Sequence, residues 1–185
     1  MPIPPKFHKH IRLLGNDYRK GAYFVTLCAR ERRHWFGRIV GVGPDASMEP
    51  NDVGRIVLAD RNALPAHFPH LRLDQMQLMP DHLHGILVLD GPLVGMATVG
   101  GSTLRVDARG VSDSASARAR GPMPGSLGAI IGAFKSGTTF RMNALNGTPG
   151  QRYWQLGYHE HNIRRHSGEF ERIAAYIAQD PAKWR

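Results

Sequence analysis

Apolar residues recur along the chain in two periods, and each predicts its elements. From Ala22 to Ala29 the run Ala-Tyr-Phe-Val-Thr-Leu-Cys-Ala has no breaker and is rich in β-branched and aromatic side chains, which predicts a largely buried strand. Leu71 to Met79 alternates apolar and polar residues, His82 to Leu89 extends beyond it, and Pro80-Asp81 lies between. Together they predict an antiparallel hairpin. A helical period governs Asn51 to Ala66, where Val53, Ile56, Val57 and Ala63 recur behind the capping candidates Asn51 and Asp52. It returns from Ser126 through Leu127, Ile130, Ile131, Phe134, Phe140, Met142 and Leu145, until Asn146-Gly147 stops it. A last helix is predicted from about Gly168 to Gln179, with Phe170, Ile173, Ala174 and Ile177 as its apolar stripe.

A strand, a helix, a hairpin and two further helices predict an α+β fold with helices packed on an antiparallel sheet. Neither a GxGxxG nor a GxxxxGK[ST] sequence argues for a nucleotide-binding βαβ unit. With 185 residues and 42% hydrophobic composition, the chain suits a single domain over 1–185. Two stretches fall outside the periodic pattern. Residues 1–20 carry Lys6, Lys9, Arg12, Arg19 and Lys20 with little apolar periodicity, as a basic N-terminal arm would. Residues 91–125 are dominated by Gly, Ser, Ala, Arg and Pro, the composition of a flexible insertion.

Charge narrows the partner class. Lys and Arg number 24 against 15 Asp and Glu, giving a formal net charge of +9, and the balance favours a polyanion such as nucleic acid. Cys28 is the one cysteine, so an intrachain disulfide and a cysteine-based zinc cluster are excluded, and a reducing, cytoplasmic setting is expected. The most apolar stretch, Gly85 to Gly101, is interrupted by Asp90 and Pro92 and does not suit a membrane span. The N-terminus lacks the apolar core of an export signal.

Alternate side chains of a strand share a face, so His82 and His84 project side by side while Leu83 turns into the core. Paired neutral imidazoles can chelate one divalent ion, although paired histidines also serve as ordinary hydrogen-bonding residues. Asp81 precedes the pair, and the expectation is that the histidines lie at the wet mouth of a buried strand. In the last helix Tyr176 and Asp180 are four residues apart and therefore share a face. A phenol can attack a phosphodiester when a metal polarises the phosphoryl group; equally, Tyr176 can be a core tyrosine and Asp180-Pro181 a helix stop. The segment from Tyr153 to Arg165, with Trp154, Tyr158, Arg164 and Arg165, interleaves aromatic and basic side chains as a binder of exposed bases does. Core-plugging aromatics on an edge strand would look the same. His159, His161 and His166 offer another, undiagnostic metal spacing. Arg30, Arg32, Arg33 and Lys135 are candidate phosphate contacts or solvated charges.

These residues resemble a known family, the single-tyrosine transposases of the HUH type and especially their stand-alone bacterial branch, the REP-associated tyrosine transposases. The resemblance runs through Ile11 to Tyr18, Gly21 to Cys28, Met79-Pro-Asp-His-Leu-His-Gly85, Gly125 to Ile131, Phe134-Lys-Ser136, Trp154-Gln155, Glu160-His161 and Tyr176-Ile177. It implies a ferredoxin-like antiparallel sheet with the paired histidines on a central strand. It also implies metal ligation by His82 and His84, with Tyr176 as the nucleophile that becomes joined to a 5′ phosphate, and Mg²⁺ or Mn²⁺ as the cofactor. Asp180 stands where relatives usually have Asn before Pro, which leaves Gln179 as a rival third ligand, and Tyr158 is a rival nucleophile. The implied activity is nicking and rejoining of single-stranded or hairpin DNA by a nucleoid-associated protein; alternatives are a non-catalytic hairpin binder and a metal phosphoesterase using water. The resemblance leaves open an active site built within one chain or shared across a homodimer.

Overall fold

The computed structural model describes residues 17–91, 122–164 and 168–184. Most of the expected basic arm and of the expected insertion, together with Arg165 and His166, lies outside the described residues.

Strand β1 (Lys20–Cys28) leads through a short hairpin, β2 (Gly37–Val40) and β3 (Ser47–Pro50), to helix α1 (Asp52–His67). Strands β4 (Leu71–Met79) and β5 (His82–Asp90) follow, then α2 (Leu127–Asn146), β6 (His159–Ile163), α3 (Glu169–Ala178) and α4 (Asp180–Lys183). The main sheet runs β4-β5-β1-β6 with every pairing antiparallel. Without the small hairpin, the core is β1-α1-β4-β5-α2-β6, the βαββαβ order of a ferredoxin-like sheet. Its central strands are β1 and β5, and β5 carries the histidines, as expected from the sequence.

Local chemistry fixes the helix ends. The Asn51 side chain accepts the Gly54 N–H at 2.9 Å and starts α1, and the Ser126 hydroxyl accepts the Ala129 N–H at 3.4 Å and starts α2. Gly147, at φ 62°, ends α2 in the left-handed conformation. The β2–β3 hairpin was not foreseen from the sequence. Its strands have four residues each and carry Gly and Pro, too short to display an alternating pattern.

The two faces of the sheet are covered differently. Odd positions Leu83, Leu87 and Leu89 of β5 join Tyr23, Val25 and Leu27 of β1 against α1 and α2, through Val57, Leu64, Ile130, Ile131 and Phe134. Even positions Ile86 and Val88 face the other way, with Ala22 and Ile163, onto Phe170, Ile173, Ala174 and Ile177 of α3. Wholly buried Ile177 contributes about 2 kcal/mol by removal of its side chain from water. Period-two alternation therefore places His82 and His84 on the same face as α3.

Candidate active site

Strand alternation and the α3 stripe bring the two distant motifs together. The His82 and His84 rings lie 5.0 Å apart, centroid to centroid. Tyr176 flanks the buried Ile177, and its ring stands 5.8 Å from that of His84 and 6.3 Å from that of Phe24. Asp180 reaches the same place by a different route than one continuous helix. Helix α3 ends at Ala178, Gln179 sits at φ −92°, ψ −1°, and Asp180 opens α4 with Pro181 in its first turn. Proline has no N–H to continue the α3 ladder and is tolerated only at such a start. An Asp180 carboxylate oxygen lies 3.5 Å from His82 Nε2 and 3.6 Å from His84 Nε2.

His82 and His84 are 8% and 2% exposed, so they are buried and not at a wet mouth. Phe24 packs beside His84, and the Trp184 ring lies 6.2 Å from that of His82. Burial disfavours the charged form of both imidazoles, and the outcomes diverge. At His84 burial, reinforced by the charge of His82, lowers the pKa to about 4 despite Asp180. At His82 burial is outweighed by hydrogen bonds with Asp180 and Asp81, and the pKa is raised. Burial works against ionised Asp180 too, but the two histidines hold its pKa below the usual value. Burial, with the Asp180 charge adding to it, raises the pKa of the Tyr176 phenol.

A divalent cation fits these residues. His84 Nε2 is buried and lacks a hydrogen-bond partner among the described residues, an orphan that buried polar atoms avoid unless something else satisfies them. One ligand atom from each of His82, His84 and Asp180 lies within 4.8 Å of the others, and imidazoles with a carboxylate accept several divalent ions. Gln179 is exposed and lends its backbone N–H to the end of α3.

Sequence reasoning treated Asp81 as a turn residue. It is buried, one oxygen pairs with His82 Nδ1 at 2.6 Å, and the other accepts from Arg32 Nε at 2.7 Å. A carboxylate can only accept, so Nδ1 carries a proton and the His82 Nε2 is left facing Asp180, the orientation that carboxylates give to metal-bound histidines. Its signal was an acid immediately before His-x-His, readable only once the turn geometry is known.

The other nominated residues lie in varied surroundings. Trp154 is a core residue and not a stacking platform: it is 6% exposed, packs on Phe36 and Phe134, and donates its indole N–H to Thr138 Oγ1 at 2.9 Å. Tyr158 packs against the α1–α2 side of the sheet, across from the histidines. Lys135 is turned back on its own chain, donating to the carbonyls of Gln155, at 2.9 Å, and Gly157, and burial lowers its pKa to about 8. Arg32 faces Asp81, while Arg30 and Arg33 both pair with Glu31. Arg164 is exposed, with its backbone N–H on Glu169. His161 pairs with Glu169 at 2.7 Å, and among the described residues neither it nor His159 joins a cluster of metal-binding groups.

No protein-family profile matches the chain. It is 29% identical over 177 residues to an uncharacterized protein of Haemophilus influenzae, covering 95% of this chain and 89% of that one. Its fold is that of a REP-associated tyrosine transposase solved bound to a REP hairpin, with a TM-score of 0.56 and 16% identity, covering 91% of this chain and 71% of the other. Among the described residues no helix is long and apolar enough to cross a membrane.

Proposed function

We propose that this chain is a metal-dependent DNA strand transferase that nicks and rejoins single-stranded or hairpin DNA through a phosphotyrosine. The observation that carries the reading is the meeting, in one chain, of His82, His84 and Asp180 with the Tyr176 ring above His84. The fold shared with a transposase bound to a hairpin supports the substrate class.

His82, His84 and Asp180 would hold the cation, Mg²⁺ or Mn²⁺ by the chemistry of its phosphate and carboxylate partners. Bound there, it supplies Lewis-acid polarisation of the scissile phosphate. Tyr176 is 47% exposed, so its hydroxyl can meet a strand at the surface and lose its proton to water. The phenolate oxygen forms a bond to phosphorus, the bond from phosphorus to the 3′ oxygen breaks, and that oxygen leaves to become a 3′ hydroxyl on protonation. A 3′ hydroxyl attacking the phosphotyrosine reverses these changes and rejoins a strand. Asp81 keeps His82 oriented throughout. The Lys183 ammonium, 5.4 Å from the Tyr176 ring centre, adds positive charge beside the developing phenolate.

The test is incubation with a panel of hairpin-bearing oligonucleotides and Mn²⁺, followed by denaturing electrophoresis. A protein–DNA adduct in the wild type, absent from Tyr176→Phe and mapped to Tyr176 by mass spectrometry, is the expected result. Cleavage that survives Tyr176→Phe without an adduct would replace the reading with a water-using phosphoesterase. Chelator-insensitive hairpin binding with no cleavage across the panel would replace it with a non-catalytic binder.

A further inference from the structure

Arg32, which faces Asp81, belongs to the same short turn as residues that line a cleft. Arg30, Glu31, Arg33, Trp35, Gln151 and Arg152 line a cleft of about 300 Å³. Its wall is a short 3₁₀ turn, Arg30–Arg32, fastened to the facing loop by the Arg30 N–H donating to the Tyr153 carbonyl at 2.7 Å. Two consecutive non-glycine residues of the turn, Glu31 and Arg32, are left-handed at φ 57° and 54°. Such backbone is costly and persists where surrounding structure holds it, frequently at binding sites. Here the conformation splits the arginines between two sites. Arg32 turns to Asp81 behind His82, and Arg30 and Arg33 turn to the cleft.

Three arginines and one glutamate thus line the cleft, and the Glu31 carboxylate pairs with two of the three. Glu31 Oε1 lies 3.4 Å from Arg30 Nε, and Oε2 lies 3.0 Å from an Arg33 terminal nitrogen. Its oxygens bridge two forks in the manner of phosphate oxygens. Arg33 lies over the Trp35 ring at 5.8 Å, which orients its fork. Arg152 has no ion-pair partner among the described residues.

We propose that this cleft seats a backbone phosphate of a single DNA strand on its way to the histidine site, and that Glu31 holds the phosphate's place until the strand arrives. The proposal deepens the proposed function and rests on its reading of the chain as acting on DNA. The ligand is a strand and not a free nucleotide, because the lining is mostly arginine and polar, and Trp35, its one aromatic, already lies under Arg33. The Glu31 pairs are solvent-exposed, so a phosphate with more acceptor oxygens can displace them.

Fluorescence anisotropy of the full chain with labelled oligothymidylate in EDTA tests this without cleavage chemistry. Glu31→Gln should tighten binding roughly fivefold, and Glu31→Gly, which also relieves the left-handed strain, should do the same. Glu49→Gln, on the β2–β3 hairpin, is the control for non-specific loss of negative charge and should change little. Arg30→Ala/Arg33→Ala should weaken binding, lower the salt slope by about 0.7 for the lost phosphate, and abolish the Glu31→Gln gain. The proposal is overturned if Glu49→Gln matches Glu31→Gln, if the gain survives without the two arginines, or if thymidine monophosphate binds as tightly as the strand. Circular dichroism confirms that each variant is folded. Failure here leaves Tyr176 capture untouched, and failure of Tyr176 capture leaves this binding measurement intact.

Discussion

Replacing Asp81 separates a positioning role from simple burial. In the native arrangement Asp81 Oδ1 takes the His82 Nδ1 proton at 2.6 Å and Oδ2 takes the Arg32 Nε proton at 2.7 Å. Asp81→Ala removes both acceptors, so His82 no longer has its proton fixed on Nδ1. Losses of this kind weaken metal affinity about 10- to 100-fold, or about 1.4 to 2.8 kcal/mol. Asp81→Asn is the sharper probe, because an amide offers one acceptor face where the carboxylate offers two. With its oxygen on Arg32, its NH₂ faces His82 Nδ1, which must then accept, and the imidazole proton moves to the Nε2 that a cation needs. With its oxygen on His82, the NH₂ faces the Arg32 guanidinium, donor against donor.

Removing Arg32 therefore changes the sign of the amide's preference. In an Arg32→Met background the amide oxygen is free to serve His82, and Asp81→Asn should recover most of the affinity that it loses in the wild-type background. Calorimetric titration with Mn²⁺ on all four proteins gives the cycle, with thermal melts to confirm folding. Asp81→Ala binding Mn²⁺ within about twofold of wild type, or Asp81→Asn losing the same amount with and without Arg32, would refute the account.

The remaining predictions concern pH and packing. Metal affinity should fall about tenfold per pH unit below the raised pKa of His82, because that imidazole must surrender a proton while His84, lowered to about 4, is already neutral; titration in buffers of different ionisation enthalpy should count the released proton, and affinity flat down to pH 5 would contradict it. Gly54→Ala should destabilise by about 1 to 3 kcal/mol in urea unfolding, against the usual helix gain, since its Cβ would clash with the Phe36 carbonyl oxygen. Ile177→Ala should cost about 2 to 5 kcal/mol and, by loosening α3, lower adduct yield further than the stability loss alone explains. Lys135→Met should destabilise by about 1 kcal/mol by stranding the half-buried Gln155 carbonyl, while water satisfies the exposed Gly157, with strand affinity little changed.

The elements that could be read from the sequence are those whose chemistry is local. The Asn51 and Ser126 caps, the Gly147 stop and the alternation that puts Leu83 opposite in sense to His82 and His84 all follow from near neighbours. Trp154 shows where that reading ends. Aromatic and basic residues interleave around it, a pattern shared by base-binding surfaces and by edge segments that plug a core, and only the cover supplied by Phe36 and Phe134 separates the two. Lys135 has the same ambiguity, because its acceptors lie 20 and 22 residues away on a loop whose path no periodicity encodes.

Asp180 joins the legible part of the site to the illegible part. Its separation from Tyr176 predicts a shared face, but a continuous helix through Asp180-Pro181 would leave an Ile177 carbonyl without its donor. The chain resolves this by ending α3 at Ala178 and restarting at Asp180, where proline is harmless. The break gives the carboxylate its own first-turn position, within 3.6 Å of both histidine Nε2 atoms, while Tyr176 stays on the helix anchored by Ile177. The proposed nucleophile and the proposed third ligand thus rest on different elements. Packing against the sheet can set the phenol, and the proline-defined turn can set the carboxylate, each without dragging the other. The place of the proposed third ligand is therefore set as much by Pro181 as by the side chain at position 180.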